Sequence, residues 1–306
     1  MDVMLADQLA AAVLGRDERQ VRRLLDAGAD ANGLDSTACW PLCHAIFPPL
    51  PINREVVRML IAAGANVNVE DFYYSERHTP LMMVAGGVQM DLPTLRMLLD
   101  AGANPNYSVQ GSTAINIATG CNHEAAVRLL LQHGAEVNGR DGGQAPIYIA
   151  ARWSPVSMVQ LLLQHGACVN ASDQYGLTPL MRAAGRPDPA VMETLIKSAA
   201  DIDQRCPPLF WTAIMFAASV GRVDAALILA KCGASLKGTV DACACFGHPH
   251  GRILNCTQAE VLQFARRPHD AYMYALRRAS MRSEKMGRFL LPLGTVRKCR
   301  MPKRPW

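Results

Sequence analysis

One pattern of apolar and polar positions recurs along the first three quarters of the chain. It reads LLLQHGAEVN at Leu129–Asn138 and returns with one change, LLLQHGACVN, at Leu161–Asn170. The leucines predict the last turn of an amphipathic helix, the Gly predicts a C′ residue with φ > 0, and the Asn predicts an exit into a turn. Recurrence at a fixed period is the signature of a repeat architecture. The Gly position falls at 28, 64, 102, 134, 166, 199 and 233, in steps of 32 to 38 residues.

A second motif lies upstream of each copy and predicts the start of a helix. Thr79-Pro80-Leu81 has it in full, with Thr as the N-cap and Pro as the first helical residue. Small residues that follow, such as Ala150-Ala151, let two helices pack closely. Each unit is therefore predicted to be two helices and a turn that bury their apolar faces only against neighbouring units. The other copies are Trp40-Pro41-Leu42, Thr113-Ala114-Ile115, Ala145-Pro146-Ile147, Thr178-Pro179-Leu180 and Thr212-Ala213-Ile214.

These two linked motifs resemble those of the ankyrin-repeat family over about residues 5–236. The resemblance implies an all-α solenoid over residues 1–236, with about seven helix-turn-helix units joined by short β-turn or hairpin connections. It also implies a concave groove that binds one or more partner proteins without catalysis. The family usually has His after Thr-Pro-Leu, so we expect the hydrogen bonds from that His to the adjacent turn to be missing. The residues in that slot are Cys43, Met82, Asn116, Tyr148, Met181 and Met215.

Two units depart from the repeat pattern in ways that the structure can test. The first is degenerate, and its helices are predicted at Leu5–Gly15 and Asp17–Ala27. The sixth has Ala199 where the other copies have the C′ Gly. If φ stays positive there, the Ala is strained by roughly 1 kcal/mol.

The fifth and sixth units carry the candidate partner-binding residues. Aromatic and Arg side chains are the usual anchors of protein interfaces. By the resemblance, the end of the first helix and the following unit's turn both face the groove, so we expect Trp153 and Tyr175 to be neighbours. The alternative is that Trp153 packs under Pro155 as a core residue. The candidate set in these units is Arg152, Trp153, Gln174, Tyr175 and Leu177.

The turn that leads into the third unit is a second candidate surface. Asn68 and Thr79 are eleven residues apart, whereas Asn170 and Thr178 are eight apart. Three adjacent aromatic residues at a loop tip cannot all point inward. They are predicted either to form a contact finger for a partner or to fold back on the repeats. These residues are Phe72, Tyr73 and Tyr74.

The repeat period ends at Leu236, where a separate, basic helical region over residues 237–306 is predicted. Residues 252–306 hold 13 Lys and Arg against three acids, a net charge of +10, whereas residues 1–251 hold 18 against 23, a net of −5. Clustered Lys and Arg can bind phosphates or an import receptor. No aromatic residue accompanies the last basic run before Trp306, so a nucleic-acid partner is not expected.

The tail also resembles, in part, the SOCS box that follows ankyrin repeats in some ubiquitin-ligase substrate receptors. That resemblance implies elongin B/C and a cullin as partners. Two departures weaken it: Arg277 stands where the box has Cys, and Gly294 replaces its last Pro. The residues implied in tail binding are Met273, Leu276, Leu291, Pro292 and Leu293.

The chain lacks the motifs of the common enzyme and metal classes. It contains no P-loop, no GxGxxG after a strand, no GxSxG and no HExxH, so neither catalysis nor a cofactor is expected. Cys243-Ala244-Cys245 is one residue too tight for a zinc knuckle, so no metal site is predicted there, although His248, His250 and Cys256 follow.

Cysteine usage and hydropathy bear on where the protein acts. The ten Cys residues are scattered rather than set in a framework, and the amino-terminal residues lack the early positive charge of a secretory signal. We therefore expect reduced thiols and a location in the cytosol, the nucleus or both. No membrane span is expected, because no window reaches 18 uninterrupted apolar residues.

Overall fold

The computed structural model describes residues 2–46, 51–73, 76–87, 90–139, 144–207, 211–219 and 222–235. Residue 236 and the predicted basic region 237–306, with its predicted helices, Cys/His cluster and SOCS-like residues, lie outside this set. Within the described residues, helices form seven successive pairs, as the repeat pattern predicts.

The helices alternate between the first and second element of each unit. The first unit holds α1 (Asp2–Leu14) and α2 (Glu18–Asp26), close to the predicted bounds. The later pairs are α3 (Pro41–Ile46) and α4 (Arg54–Ala62), α5 (Pro80–Gly86) and α6 (Leu92–Asp100), α7 (Ala114–Gly120) and α8 (Glu124–Gln132), α9 (Pro146–Trp153) and α10 (Val156–Gln164), α11 (Pro179–Ala184) and α12 (Ala190–Lys197), and α13 (Ala213–Ser219) and α14 (Val223–Lys231).

The pairs stack in two layers with one continuous core between them. Each first helix contacts the first helix of the next unit, from α1 through α13, and the second helices from α2 to α12 do the same. Small residues such as Ala118, Ala150 and Ala184 are fully buried between neighbouring first helices. Leu98, Leu130 and Leu162 of the second helices fill the core between the layers. The fold is therefore an all-α solenoid in which each unit is completed by its neighbours.

Helix starts agree with the predicted caps where Pro follows Thr. The Oγ1 atoms of Thr79 and Thr178 accept hydrogen bonds at 3.3 Å from the backbone N–H three residues on. Thr113 and Thr212 precede Ala instead of Pro, and their buried hydroxyls have no hydrogen-bond partner. The predicted position of Thr before the first helical residue is therefore confirmed at all four units, but its side-chain capping bond forms at only two of them.

Helix ends follow the expected C′ geometry even where Gly is missing. At Gly134, φ is +84°, and the next residue, Ala135, donates its N–H back to the Leu130 carbonyl at 2.9 Å. Ala199 has φ of +62°, and Ala200 donates to Leu195 in the same way at 3.1 Å. The left-handed region is unfavourable for a residue with a Cβ. The strain predicted at Ala199 is therefore present.

Replacing Ala199 with Gly should stabilise the fold by about 0.5–1 kcal/mol, because relief of left-handed strain outweighs the added freedom of the unfolded chain. The matched control is Gly166→Ala, since Gly166 has φ of +84° and open space where the Cβ of an Ala would lie. It should lose a similar amount. Urea denaturation of both variants measures this, and destabilisation by Ala199→Gly would contradict the strain argument.

A ladder of Asn side chains ties consecutive units together at the exits of the second helices. Asn106 donates its Nδ2–H to the Gly134 carbonyl at 2.9 Å and accepts from the Glu136 backbone N–H at 2.7 Å. Each such side chain satisfies one acceptor and one donor of the next unit's turn. This explains why Asn recurs in the pattern. The same paired bonds join Asn32 to Gly64 and Asn66, Asn68 to Gly102 and Asn104, and Asn138 to Gly166 and Cys168.

The slot that usually holds His keeps polar contacts in two units, contrary to expectation. Asn116 donates its Nδ2–H to the Gln144 carbonyl in the next turn at 3.0 Å. The Tyr148 hydroxyl donates to the Asp173 carboxylate, also in the next turn, at 2.6 Å. Other donors therefore replace the His bond at these slots, and the prediction that the bond would simply be missing is wrong there.

The long turn before the third unit is a two-stranded antiparallel hairpin. Strands β1 (Asp71–Tyr73) and β2 (Glu76–His78) pair with Phe72 opposite Arg77 and Tyr73 opposite Glu76. Isolated antiparallel bridges pair Val109 with Ser112 and Cys206 with Trp211 in two other turns. The predicted hairpin connections are confirmed at these three places.

Candidate functional site

One stripe of each first helix points away from the second layer. In α9, Pro146 to Tyr148 and Ala150-Ala151 are buried, whereas Ile149 and Arg152 are half-buried and Trp153 is exposed. Spacings of three and four residues put Ile149, Arg152 and Trp153 on one side of the helix. We call the surface formed by these stripes, together with the adjoining turns, the groove face.

On the groove face, the fifth unit has a larger side chain than its neighbours at one slot. The slot of Arg152 holds Gly86, Gly120 and Gly185 in the third, fourth and sixth units. A Cβ at Gly86 would come within 2.7 Å of Ile117 Cγ2, so a small residue there allows the next unit to pack closely. The fifth unit instead projects a long cation and an indole toward solvent.

Arg152 and Trp153 form a stacked pair on this surface. The Arg152 guanidinium carbon lies 4.5 Å from the centroid of the Trp153 ring. Trp153 is 56% exposed. The alternative that it packs under Pro155 as a core residue is therefore wrong. An Arg stacked on an indole is held in place by a cation–π attraction of roughly 0.5–1 kcal/mol at such exposed sites.

A buried network beneath this pair links the fifth and sixth units. Tyr148 is only 2% exposed, and its hydroxyl donates to Asp173 Oδ2 while accepting a hydrogen bond from Arg182 Nε. An Arg182 terminal nitrogen lies 3.8 Å from the same carboxylate oxygen. Burial and the hydrogen bond to Asp173 raise the pKa of Tyr148, so its hydroxyl stays protonated at neutral pH. The network fixes Arg182 of α11 against the preceding unit.

The same carboxylate shapes the turn that presents Tyr175. Asp173 Oδ1 accepts hydrogen bonds at 2.9 Å from the backbone N–H groups of Tyr175 and Leu177. Gly176 has φ of +77°, and a Cβ there would lie 2.7 Å from Pro207 Cδ, so both conformation and space require Gly. Tyr175 is 48% exposed at the tip of this rigid turn. Trp153 and Tyr175 are two of the five exposed large hydrophobic side chains in the described residues.

The remaining predicted residues of this pair of units lie on either side of Tyr175. Gln174 is exposed, whereas Leu177 is half-buried and packs against the core. Trp153 contacts Arg152, and Asp173 joins Arg182 to the turn of Tyr175. The charge of Arg182 also acts on Arg152. Direct contact between the two rings stays a prediction.

Polar side chains of one unit cap the end of the first helix in the preceding unit. Arg186 donates to the carbonyls of Ser154 at 2.7 Å and Ala151 at 3.3 Å, at the end of α9. Ser154 in turn donates to the Thr119 carbonyl at the end of α7, at 3.1 Å. These bonds give added partners to carbonyl groups at the ends of α9 and α7, where the intrahelical hydrogen bonds run out. They hold the Arg152 and Trp153 end of α9 in a defined position.

The second candidate surface, the hairpin of β1 and β2, is fixed at its base. Glu70 accepts a hydrogen bond from the Tyr107 hydroxyl at 2.6 Å and lies 3.3 Å from Arg77 of β2. The hydrogen bond from Tyr107 lowers the pKa of the Glu70 carboxyl. Phe72 and Tyr73 lie in β1, and Tyr74 lies outside the described residues. Whether these aromatics form a finger or fold back stays a prediction.

Two cysteines of the repeats, Cys39 and Cys206, are hydrogen-bond donors rather than nucleophiles. Burial and Asp71 raise the pKa of the Cys39 thiol to about 12, and burial raises that of Cys206 to about 11. Cys39 Sγ donates to Asp71 Oδ2 at 2.8 Å, and Cys206 Sγ donates to the Tyr175 carbonyl at 3.0 Å. A thiol with such a pKa has almost no thiolate at neutral pH.

Two further classes of site can be assessed over the part of the chain that the structure describes. There, no cluster of three His, Cys, Asp or Glu side chains is arranged to hold a metal ion. No helix in these ranges has the length and apolar character needed to cross a bilayer.

Sequence reasoning missed Tyr148, Asp173 and Arg182 as parts of the site. One signal was available for Arg182, because its slot is apolar in the third, fourth, fifth and seventh units, with Met83, Ile117, Ile149 and Phe216. For Asp173 the signal was an Asp at a similar place in earlier turns, and Asp35 accepts backbone hydrogen bonds from Thr37 and Cys39 in the same way.

Comparisons with known proteins agree with this architecture. A family model described as ankyrin repeats (3 copies) matches residues 52–141 and 139–206. Comparison with curated proteins finds no match. Among solved structures, the chain is similar to the ankyrin repeat domain of Bcl-3, described as a unique member of the IkappaB protein family. The sequences are 28% identical with a TM-score of 0.59, and the match covers 73% of this chain and 97% of that one.

Proposed function

Because the chain belongs to the ankyrin-repeat family, whose repeats are protein-interaction modules, we propose that it is a non-catalytic adaptor that binds a partner protein through its groove face. The fifth and sixth units are the proposed centre of that interface. Trp153 and Tyr175 act as its anchors, with Arg152, Gln174 and Leu177 around them. The proposed location is the cytosol, the nucleus or both.

The observation that carries this proposal is the exposure of two aromatic rings on a rigid support. Trp153 is 56% exposed at the end of α9, and Tyr175 is 48% exposed on a turn that Asp173 holds with two backbone hydrogen bonds. Interface hot spots are enriched in Trp, Tyr and Arg. A rigid presentation lowers the conformational entropy lost on binding.

Photo-crosslinking from the full-length chain in cells tests where the partner binds. The photoreactive amino acid p-benzoylphenylalanine replaces Tyr175 in one variant and Gln160, an exposed residue of the second helix α10, in the matched control. We expect a crosslinked partner from position 175 and a much weaker product from position 160. A partner that crosslinks from position 160 but not from position 175 would locate the interface on the other layer.

A second candidate function follows from the tail sequence. The segment Leu291, Pro292 and Leu293, after the helix predicted to hold Met273 and Leu276, resembles a SOCS box element. The chain would then present groove-bound substrates to a cullin-type ubiquitin ligase through elongin B/C. Copurification of elongin B and C with the full-length chain, lost on Leu291→Asp, is the result that supports this candidate.

A further inference from the structure

The first helices of the fifth and sixth units have a charge opposite to that of the stack as a whole. Residues 1–251 carry a net charge of −5. The acids of the repeats include Glu18, Glu55 and Glu124 in the first turns of second helices. The first helices α3, α5, α7, α9, α11 and α13, by contrast, contain no Asp or Glu.

Of the three guanidinium groups in this part of the groove face, only one is paired with a carboxylate among the described residues. Arg182 is paired with Asp173 at 3.8 Å, and Arg186 donates to backbone carbonyls at the end of α9. Arg152 forms neither an ion pair nor a hydrogen bond to a carbonyl within the described residues. No carboxylate there lies within ion-pair distance of it, and its guanidinium stacks on the Trp153 ring. The region therefore has an unneutralised cation beside an exposed apolar surface.

The surroundings of Arg152 favour the binding of an anion beside it. Partial burial, followed by the charge of Arg182, lowers the pKa of the Arg152 guanidinium. Both effects oppose the positive charge, and the attraction of an incoming anion would offset both. A guanidinium also has a fork of N–H donors that matches a carboxylate in two parallel hydrogen bonds. The stacking on Trp153 holds this fork at the surface in advance of binding.

From this geometry we infer that the partner segment bound at the fifth and sixth units is acidic, with an Asp or Glu carboxylate paired to Arg152 and an apolar side chain against Trp153. This inference rests on the proposed function and adds the chemistry of the ligand to it. The charge complementarity is local, since the stack as a whole carries a net negative charge and would repel an acidic segment elsewhere.

Selection of random twelve-residue peptides displayed on phage, with the full-length chain as bait, tests the inference. We expect Asp and Glu to be enriched about threefold in the selected sequences, as charge complementarity requires. The best synthetic peptide should bind about tenfold more weakly to Arg152→Gln, the loss expected for one charge-assisted pair. The matched control is Arg96→Gln, since Arg96 is an exposed residue of the second helix α6, and its affinity should stay within about twofold of wild type.

A charge reversal keeps the test informative if Arg152→Gln affects folding. Arg152→Glu should lose the acidic peptide and gain a version with Lys in place of the acid, and the melting temperature of each variant reports on the fold. Peptides that depend on Trp153 but lack acidic residues would overturn the inference and leave the proposed function standing. Failure to select any peptide that depends on Trp153 or Tyr175 would count against both. Arg152-dependent binding of a single-stranded oligonucleotide, without acidic peptides, would show that the anion belongs to nucleic acid.

Discussion

Asp173→Ala should destabilise the repeats by about 3–5 kcal/mol, the cost typical of breaking a buried ion pair by removing one partner. The carboxylate accepts hydrogen bonds from Tyr148 and from two backbone N–H groups, and it lies 3.8 Å from Arg182. Its side chain is 2% exposed and that of Arg182 is 16% exposed. The substitution therefore leaves a buried cation and a buried hydroxyl without their acceptor. Urea denaturation followed by circular dichroism measures the loss.

Two controls separate the network from general effects of substitution. Asp26→Ala, at an exposed position in the last turn of α2, should change the free energy of unfolding by no more than about 0.5 kcal/mol. Tyr148→Phe removes one hydroxyl but leaves Arg182 beside Asp173, so it should cost only about 1 kcal/mol. If Asp173→Ala costs less than Tyr148→Phe, the carboxylate does not hold the network together.

The repeat architecture could be predicted from sequence because its determinants are local. The repeat pattern predicts the first pair at Leu5–Gly15 and Asp17–Ala27, and the helices span Asp2–Leu14 and Glu18–Asp26. Helix starts, helix ends and apolar spacing all lie within one unit, and repetition averages out the errors of any one copy. The strain at Ala199 was predictable for the same reason, since the other six copies define the backbone conformation there.

The contacts between units could not be predicted in the same way. Tyr148 lies 25 residues from Asp173 and 34 from Arg182, and nothing in the neighbourhood of each residue indicates its partner. The recurring Asn was visible in the pattern, but its two bonds to the next unit's turn require the stacking geometry. A Tyr in place of the usual His predicts a lost bond, although its hydroxyl makes the equivalent bond to the next turn.

Part of the candidate site could also be predicted from features local to one unit. Arg and aromatic side chains at the end of a first helix, which the family resemblance places on the groove, are visible in sequence, and this identified Arg152 and Trp153. The residues that hold them and the turn of Tyr175 in place are buried or half-buried. They act through contacts between units, which the sequence does not show. The site therefore has exposed anchors that sequence can identify and a supporting network whose connections it cannot.

The central claim is tested most directly by isothermal titration with the crosslinked partner, once that partner has been purified. The titration compares the full-length chain with the double variant Trp153→Ala, Tyr175→Ala. Both rings are exposed, so the melting temperature should barely change, whereas the binding free energy should weaken by about 2 kcal/mol or more, as for interface hot spots. The matched control is Met4→Ala, which removes an exposed side chain of the first unit, remote in sequence from the fifth and sixth, and should bind like wild type. Unchanged affinity of the folded double variant would contradict the claim and direct attention to Phe72, Tyr73 and Tyr74.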